Sequence, residues 1–251
     1  MKLYTIATTL LILISSTASA AESEAEALAL LKKSEALMRS PATAAEYQVD
    51  IIRPDWQRTM TFRSLDDNIK KRFRMEILSP RKTKGTVFLK IDNKLSMYLP
   101  KLRRQIAISP AMMHDPWMGS DFNNQDLLET DSLVSGYSHR ITKREGTGEQ
   151  EIISIESVPY AETTVSWLRL EHRIRADGMP IDVTYICKRG NPGRKLSFDT
   201  PQEMDGRIIP TRWSMESLKE EGKRTIITMK SIDFDTQLNE ALFTPMKKTK
   251  D

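Results

Sequence analysis

The stretch Trp167-Leu168-Arg169-Leu170-Glu171-His172-Arg173-Ile174-Arg175-Ala176-Asp177-Gly178-Met179-Pro180-Ile181-Asp182-Val183-Thr184-Tyr185 decides the fold. Leu168, Leu170 and Ile174 alternate with Trp167, Arg169, Glu171 and Arg173. After Ala176-Asp177-Gly178, Ile181, Val183 and Tyr185 alternate with Asp182 and Thr184. A period of two belongs to a strand with one buried and one wet face. Asp-Gly between two such runs is turn chemistry, so the stretch predicts an antiparallel hairpin.

The same period governs the chain from Glu46 to its end. Met60 and Phe62 alternate with Thr59, Thr61 and Arg63, and Phe73, Met75 and Ile77 alternate with Arg72, Arg74 and Glu76. Asp66-Asp67-Asn68, Asp92-Asn93 and Asp205-Gly206 punctuate these runs about every dozen residues. That spacing leaves no room for crossover helices, so the sheet must be antiparallel and meandering. One large sheet with a single apolar face must curl into a barrel or half-barrel lined by that face.

Helical spacing occurs near the start. Ser23 and Glu26 form a capping-box pattern ahead of Ala27, Leu30, Leu31, Ser34, Leu37 and Met38, and Ser40-Pro41 stops the run. Such a stripe predicts packing on the sheet. Upstream, Lys2, the apolar run from Leu3 to Ile14 and Ala18-Ser19-Ala20 read as a signal peptide over residues 1–20, cut after Ala20. No Cys lies near the cut to carry a lipid anchor. Residues 21–251 then form a single exported domain, placed in the periplasm.

Composition narrows the function. The chain is 39% hydrophobic with a mean hydropathy of −0.45, enough for a core and too little for a polytopic membrane protein. One Cys excludes an internal disulfide framework and Cys-rich metal sites. The formal charge of +4 falls by one with Lys2, and acidic residues interleave the basic ones, so nucleic acid is excluded as partner. The tail Lys247-Lys248-Lys250 offers transient contact with an anionic lipid surface.

Three patterns resemble catalytic motifs without fitting them. Ser79-Pro80-Arg81-Lys82 has Ser-x-x-Lys spacing, but Pro80 stands between two strands where a helix is required. His114, His139 and His172 show no metal-ligand spacing, and His172 reads as a satisfied interior side chain on the face of Leu168 and Leu170. Cys187, late in a strand, reads as a buried thiol. The expectation is no enzyme, no metal and no cofactor.

Residues 109–135 break the strand pattern. Their first half holds Met112, Met113, Trp117, Met118 and Phe122; their second begins a short helix with Asn123 or Asn124 as N-cap and Leu127 and Leu128 inward. Large flexible apolar side chains in a loop must plug the mouth of the curled sheet or contact something greasy. With thirteen Met and four Trp, the chain has the material for an apolar cavity that accepts a lipid or acyl chain. The cavity and lid candidates are Phe73, Met75, Ile77, Met97, Leu99, Met112, Met113, Trp117, Met118, Phe122, Leu168 and Leu170.

The run Lys84-Gly85-Thr86-Val87-Phe88-Leu89, then Met97-Tyr98-Leu99-Pro100, then Trp117-Met118-Gly119-Ser120-Asp121-Phe122 with Asp126-Leu127 resembles the outer-membrane lipoprotein-sorting proteins of the LolA-like superfamily. Arg207-Ile208-Ile209-Pro210-Thr211 and Asn239-Glu240-Ala241-Leu242-Phe243-Thr244 extend the match over residues 45–246. Ser96 stands where the family more often has an aromatic residue. The resemblance implies a mainly β fold: an eleven-stranded, incomplete antiparallel barrel with an N-terminal helix and a short central lid helix over a lipophilic cavity. It further implies a periplasmic carrier of lipid or lipoprotein acyl chains, serving an inner-membrane permease of the resistance-nodulation-division class in transport toward the outer membrane. A periplasmic sensor or docking subunit of a permease or signalling protein, without stable cargo, is the alternative.

Overall fold

The computed structural model describes residues 22–128, 134–163 and 165–244. The expected signal peptide, its cut and the Lys247-Lys248-Lys250 tail lie outside them. Alternation becomes two meanders. The first comprises β1 (Ala42–Ile52), β2 (Gln57–Asp67), β3 (Arg72–Ser79), β4 (Val87–Ile91), β5 (Lys94–Leu99) and β6 (Arg104–Ala107). The second comprises β7 (Tyr137–Glu145), β8 (Ile152–Pro159), β9 (Trp167–Arg175), β10 (Pro180–Cys187), β11 (Pro192–Met204), β12 (Arg207–Ser217) and β13 (Arg224–Asp233).

β13 pairs antiparallel with β1, joining both meanders into one thirteen-stranded sheet in the order β6-β5-β4-β3-β2-β1-β13-β12-β11-β10-β9-β8-β7. The sheet is curled and not closed; β6 and β7 are its two edges. The count exceeds the eleven that the resemblance implied. A strand as short as β6, four residues, has too few positions for a period to show.

The concave face holds the core. Val49, Met60, Phe62, Ile77 and Leu95 are buried there beside Trp117 from the segment between β6 and β7. A helix over residues 22–38, α1, crosses the same face. Ala27, Leu30 and Leu31 pack on Ile153, Ile155 and Ile174, and Leu37 packs beside Ile209 and Met229. Each such leucine contributes about 1.5–3 kcal/mol by leaving water. The helix starts by residue 22, so Ser23 sits in its first turn instead of capping it, and Glu26 reaches Arg144 of β7 at 2.6 Å. Arg207 caps the other end, donating to the carbonyls of Ala36 and Arg39.

The hairpin that decides the fold has one irregularity. Opposite β10, Ile186 pairs with Arg169 and Cys187 with Trp167, so Leu168 is skipped in a bulge. An extra residue rotates what precedes it by one face. Trp167 therefore turns inward, 4% exposed, and Leu168 turns outward, 41% exposed. The inward placement expected of Leu168 is overturned by this bulge.

Candidate functional site

Residues 108–128 follow β6 at one sheet edge and lie over the concave face as a lid, and residues 134–136 lead into β7 at the other edge. The lid's core is a tight loop in which the Trp117 amide donates to the Phe122 carbonyl at 2.8 Å. Gly119, at φ +77, supplies the left-handed turn, and the Ser120 hydroxyl bonds the backbone of Phe122. Trp117 points inward between Phe62 and Phe88, with ring centroids 5.9 and 6.0 Å away. Then α2 (Asn124–Leu128) begins: Asn123 Oδ1 accepts from the Asp126 amide, and Asp126 Oδ2 accepts from the Asn123 amide. Asn123 is thus the N-cap, and Leu127 and Leu128 pack against the core as expected.

Cationic side chains from the sheet hold this lid. Arg53, in the β1–β2 turn, donates to Asp121 Oδ2 and to the Gly119 carbonyl, both at 2.9 Å. Arg58 of β2 donates to the Met118 carbonyl. From the other meander, Arg194 of β11 grips Asp126 with two bonds of 2.7 and 2.5 Å. The Thr225 hydroxyl of β13 donates to Asp121 at 2.7 Å. Lys90 of β4, 2% exposed, donates to the Leu128 carbonyl at 2.9 Å. Both meanders therefore clamp the lid, and the charges are shielded: Arg53 and Asp121 are each 10% exposed. Shielding strengthens such bonds and raises the cost of leaving one partner unmet.

Eleven of the twelve expected cavity and lid residues lie on the concave side or in the lid. Phe73, Met75, Ile77 and Trp117 are core; Met97, Met112, Met113, Met118 and Phe122 pack against them, partly buried. Leu99 is half-buried at the end of β5, and Leu170 is fully buried beside Tyr137 and Met215. Leu168 is the exception. Burial pushes the Tyr47 phenol, stacked on Phe62 at 4.9 Å, above its usual range.

Sequence reasoning missed Arg53, Arg58, Lys90 and Arg194. Only Lys90 carried a signal, a lone charge inside Phe88-Leu89-Lys90-Ile91. It also missed the open space, a pocket of about 570 Å3 beside the lid. Its apolar wall is Phe122, Trp167 and Tyr185, and Arg53, Arg194, Lys219 and Lys223 outnumber Asp121 and Glu220 on its polar side. Arg194 stacks over Tyr185, 4.2 Å from the ring centre.

Cys187 lines this pocket half-exposed, which corrects its reading as a buried thiol. Among the described residues the histidines form no triad. His114 is exposed in the lid, while His139 bonds the Ser157 hydroxyl and the Val134 carbonyl in the interior. His172 is buried but not satisfied: Nε2 has no hydrogen-bond partner among the described residues. Burial, with His139 nearby, pushes its imidazole down to about 3. Among the described residues no cluster of His, Cys, Asp or Glu suits a metal ion, and no helix is long and apolar enough to cross a membrane.

A family model described as "Uncharacterized protein" matches residues 70–247. No curated protein matches the sequence. Among solved structures, a DUF1329 family protein from Desulfovibrio piger is similar at TM-score 0.79 and 21% identity, covering 88% of this chain and 97% of that one. A putative outer membrane lipoprotein-sorting protein domain from Vibrio parahaemolyticus is similar at 0.75 and 20%, with coverage of 88% and 97%. A LolA superfamily protein from Nitrosomonas europaea is similar at 0.72 and 15%, with coverage of 87% and 97%. The chain belongs to the family of the matching model, and its fold is that of the LolA-like outer-membrane lipoprotein-sorting proteins.

Proposed function

We propose that this protein is a periplasmic carrier that takes lipid or lipoprotein acyl chains onto its apolar concave face beneath the lid. The observation that carries the reading is the make-up of the lid. Met112, Met113, Trp117, Met118 and Phe122 plug the interior, yet the lid's outer bonds are polar contacts to Arg53, Arg58 and Arg194. Lifting the lid exposes an adaptable methionine and aromatic lining, and each acyl CH2 placed there gains about 0.8 kcal/mol. The proposal includes hand-over to or from an inner-membrane permease of the resistance-nodulation-division class, on the strength of the sequence resemblance, in transport toward the outer membrane. No catalytic step is assigned: the interior His139 and Ser157 are bonded to each other among strands.

The test is to purify the protein from periplasm without detergent, extract it with organic solvent and analyse the extract by mass spectrometry. A stoichiometric lipid or acylated peptide is the expected result and names the cargo. An empty extract, together with no uptake of a fluorescent fatty acid by folded protein, overturns the carrier reading in favour of a docking or sensor role.

A further inference from the structure

In a meander, alternate turns gather at alternate ends. The turns at 53–56, 80–86, 100–103, 188–191 and 218–223, and residues 160–163 and 165–166 of the β8–β9 turn, all fall at one end of the half-barrel. Neighbouring turns touch: an added Cβ on Gly85 would lie 3.5 Å from Pro100, one on Gly222 would lie 3.4 Å from Pro54, and the Leu218 amide donates to the Gly193 carbonyl at 3.0 Å. They make one rim. Its six turns hold ten Lys and Arg against four Asp and Glu. The five turns at the opposite end, 68–71, 92–93, 146–151, 176–179 and 205–206, hold two basic and five acidic residues.

The basic rim also carries exposed apolar side chains. Trp56 at 43%, Leu102 at 63%, Tyr160 at 44% and Leu218 at 45% exposure stand on its turns, with Leu168 close by, whereas Ile69 is the exposed large apolar residue on the turns of the opposite end. Lone exposed apolar side chains are ordinary; several on one rim, set among exposed lysines and arginines, are the composition of a membrane-interface surface. The 570 Å3 pocket is walled in part by the 218–223 turn, so it opens at this rim.

We propose that this rim docks on an anionic phospholipid surface, with its basic side chains on the headgroups and Trp56, Leu102 and Leu218 in the interface. A shell of positive charge is drawn to such a surface within about a Debye length, ~10 Å at 0.1 M salt, and the apolar tips then retain it. Docking sets the pocket mouth and the lid against the bilayer. The inference goes beyond the carrier reading and does not depend on it, because an empty organic extract leaves the rim unchanged.

The experiment is co-sedimentation of the full exported protein with vesicles of phosphatidylglycerol and phosphatidylcholine, beside pure phosphatidylcholine. Binding to the anionic vesicles is expected at 50 mM salt, falling more than tenfold at 300 mM. A Lys82→Glu, Lys84→Glu, Lys101→Glu, Arg189→Glu variant should lose more than tenfold, and Trp56→Ser with Leu218→Ser several-fold. Lys70→Glu with Lys71→Glu, at the opposite end, should change nothing. Circular dichroism confirms that each variant is folded, and brominated lipid should quench the wild type but not Trp56→Phe to the same extent. No binding to anionic vesicles, equal binding to neutral ones, or dependence on Lys70 and Lys71 overturns the proposal; the first of these leaves an acidic protein face as the rim's partner.

Discussion

His172 shows how a single side chain couples to the whole fold. Its ring lies on the concave face, and Nε2 is buried without a partner among the described residues. Its pKa is depressed to about 3 in the folded chain, against roughly 6.5 when unfolded. Between these values the unfolded chain binds a proton that the folded chain refuses, so stability falls as pH drops below about 6.5. The slope approaches about 1.4 kcal/mol per pH unit, and stability is level in this respect above about 7. Urea denaturation at pH 7.5 and 5 should therefore show a loss on acidification that His172→Leu largely removes, at little cost at pH 7.5. Equal acid losses in both proteins would sink this account. The pattern of alternation told that His172 faces inward. It told nothing of partners, since these depend on which atoms the curl of the sheet brings within about 3 Å.

At the scale of elements, the lid is the piece that two meanders must agree on. Asp121 receives Arg53 from the β1–β2 turn and Thr225 from β13, so Asp121→Ala removes both contacts and leaves a shielded guanidinium short of an acceptor. The expected cost is about 1–3 kcal/mol, felt in the lid and not in the sheet. Hydrogen exchange should accelerate roughly ten- to hundredfold for amides 117–126, while β1 and β2 keep their protection. Uptake of a fluorescent fatty acid should quicken. Unchanged lid exchange would show that packing by Trp117 alone holds the lid shut. The apolar character of residues 109–128 and an N-cap at Asn123 or Asn124 were legible, because both are local patterns. The arginines were not: Arg53 and Asp121 are 68 residues apart, and in a chain with 38 Lys and Arg no spacing singles them out.

For the whole molecule, α1 and the lid share the task of covering one curled face. α1 takes the part over β8, β9 and β12, and the lid takes the part over β2 to β5. Removing a buried apolar side chain from either should destabilise the entire sheet, since the concave surfaces they cover are continuous through β1 and β13. Leu31→Ala, at a site 5% exposed, should cost about 2–4 kcal/mol in global stability, read as a shifted urea midpoint with an unchanged slope. A fall below 1 kcal/mol would mean that α1 is an accessory cover and not part of the core.

The sequence by itself determined the antiparallel meander, its turns, the amphipathic N-terminal helix and an apolar lid. Each is written in residues a few positions apart, through the period of two, the period of 3.6 and the chemistry of turns. Only the tertiary structure decided which face Trp167 and Leu168 take, because a bulge is a mismatch with a partner strand and leaves no trace in the strand's own alternation. It alone decided which cations clamp the lid, and that six turns with a net positive charge meet on one rim while five with a net negative charge meet on the other. Charge strewn evenly along a chain becomes polar in space when strands of similar length fold back on one another, for each reversal sends alternate turns to the same end.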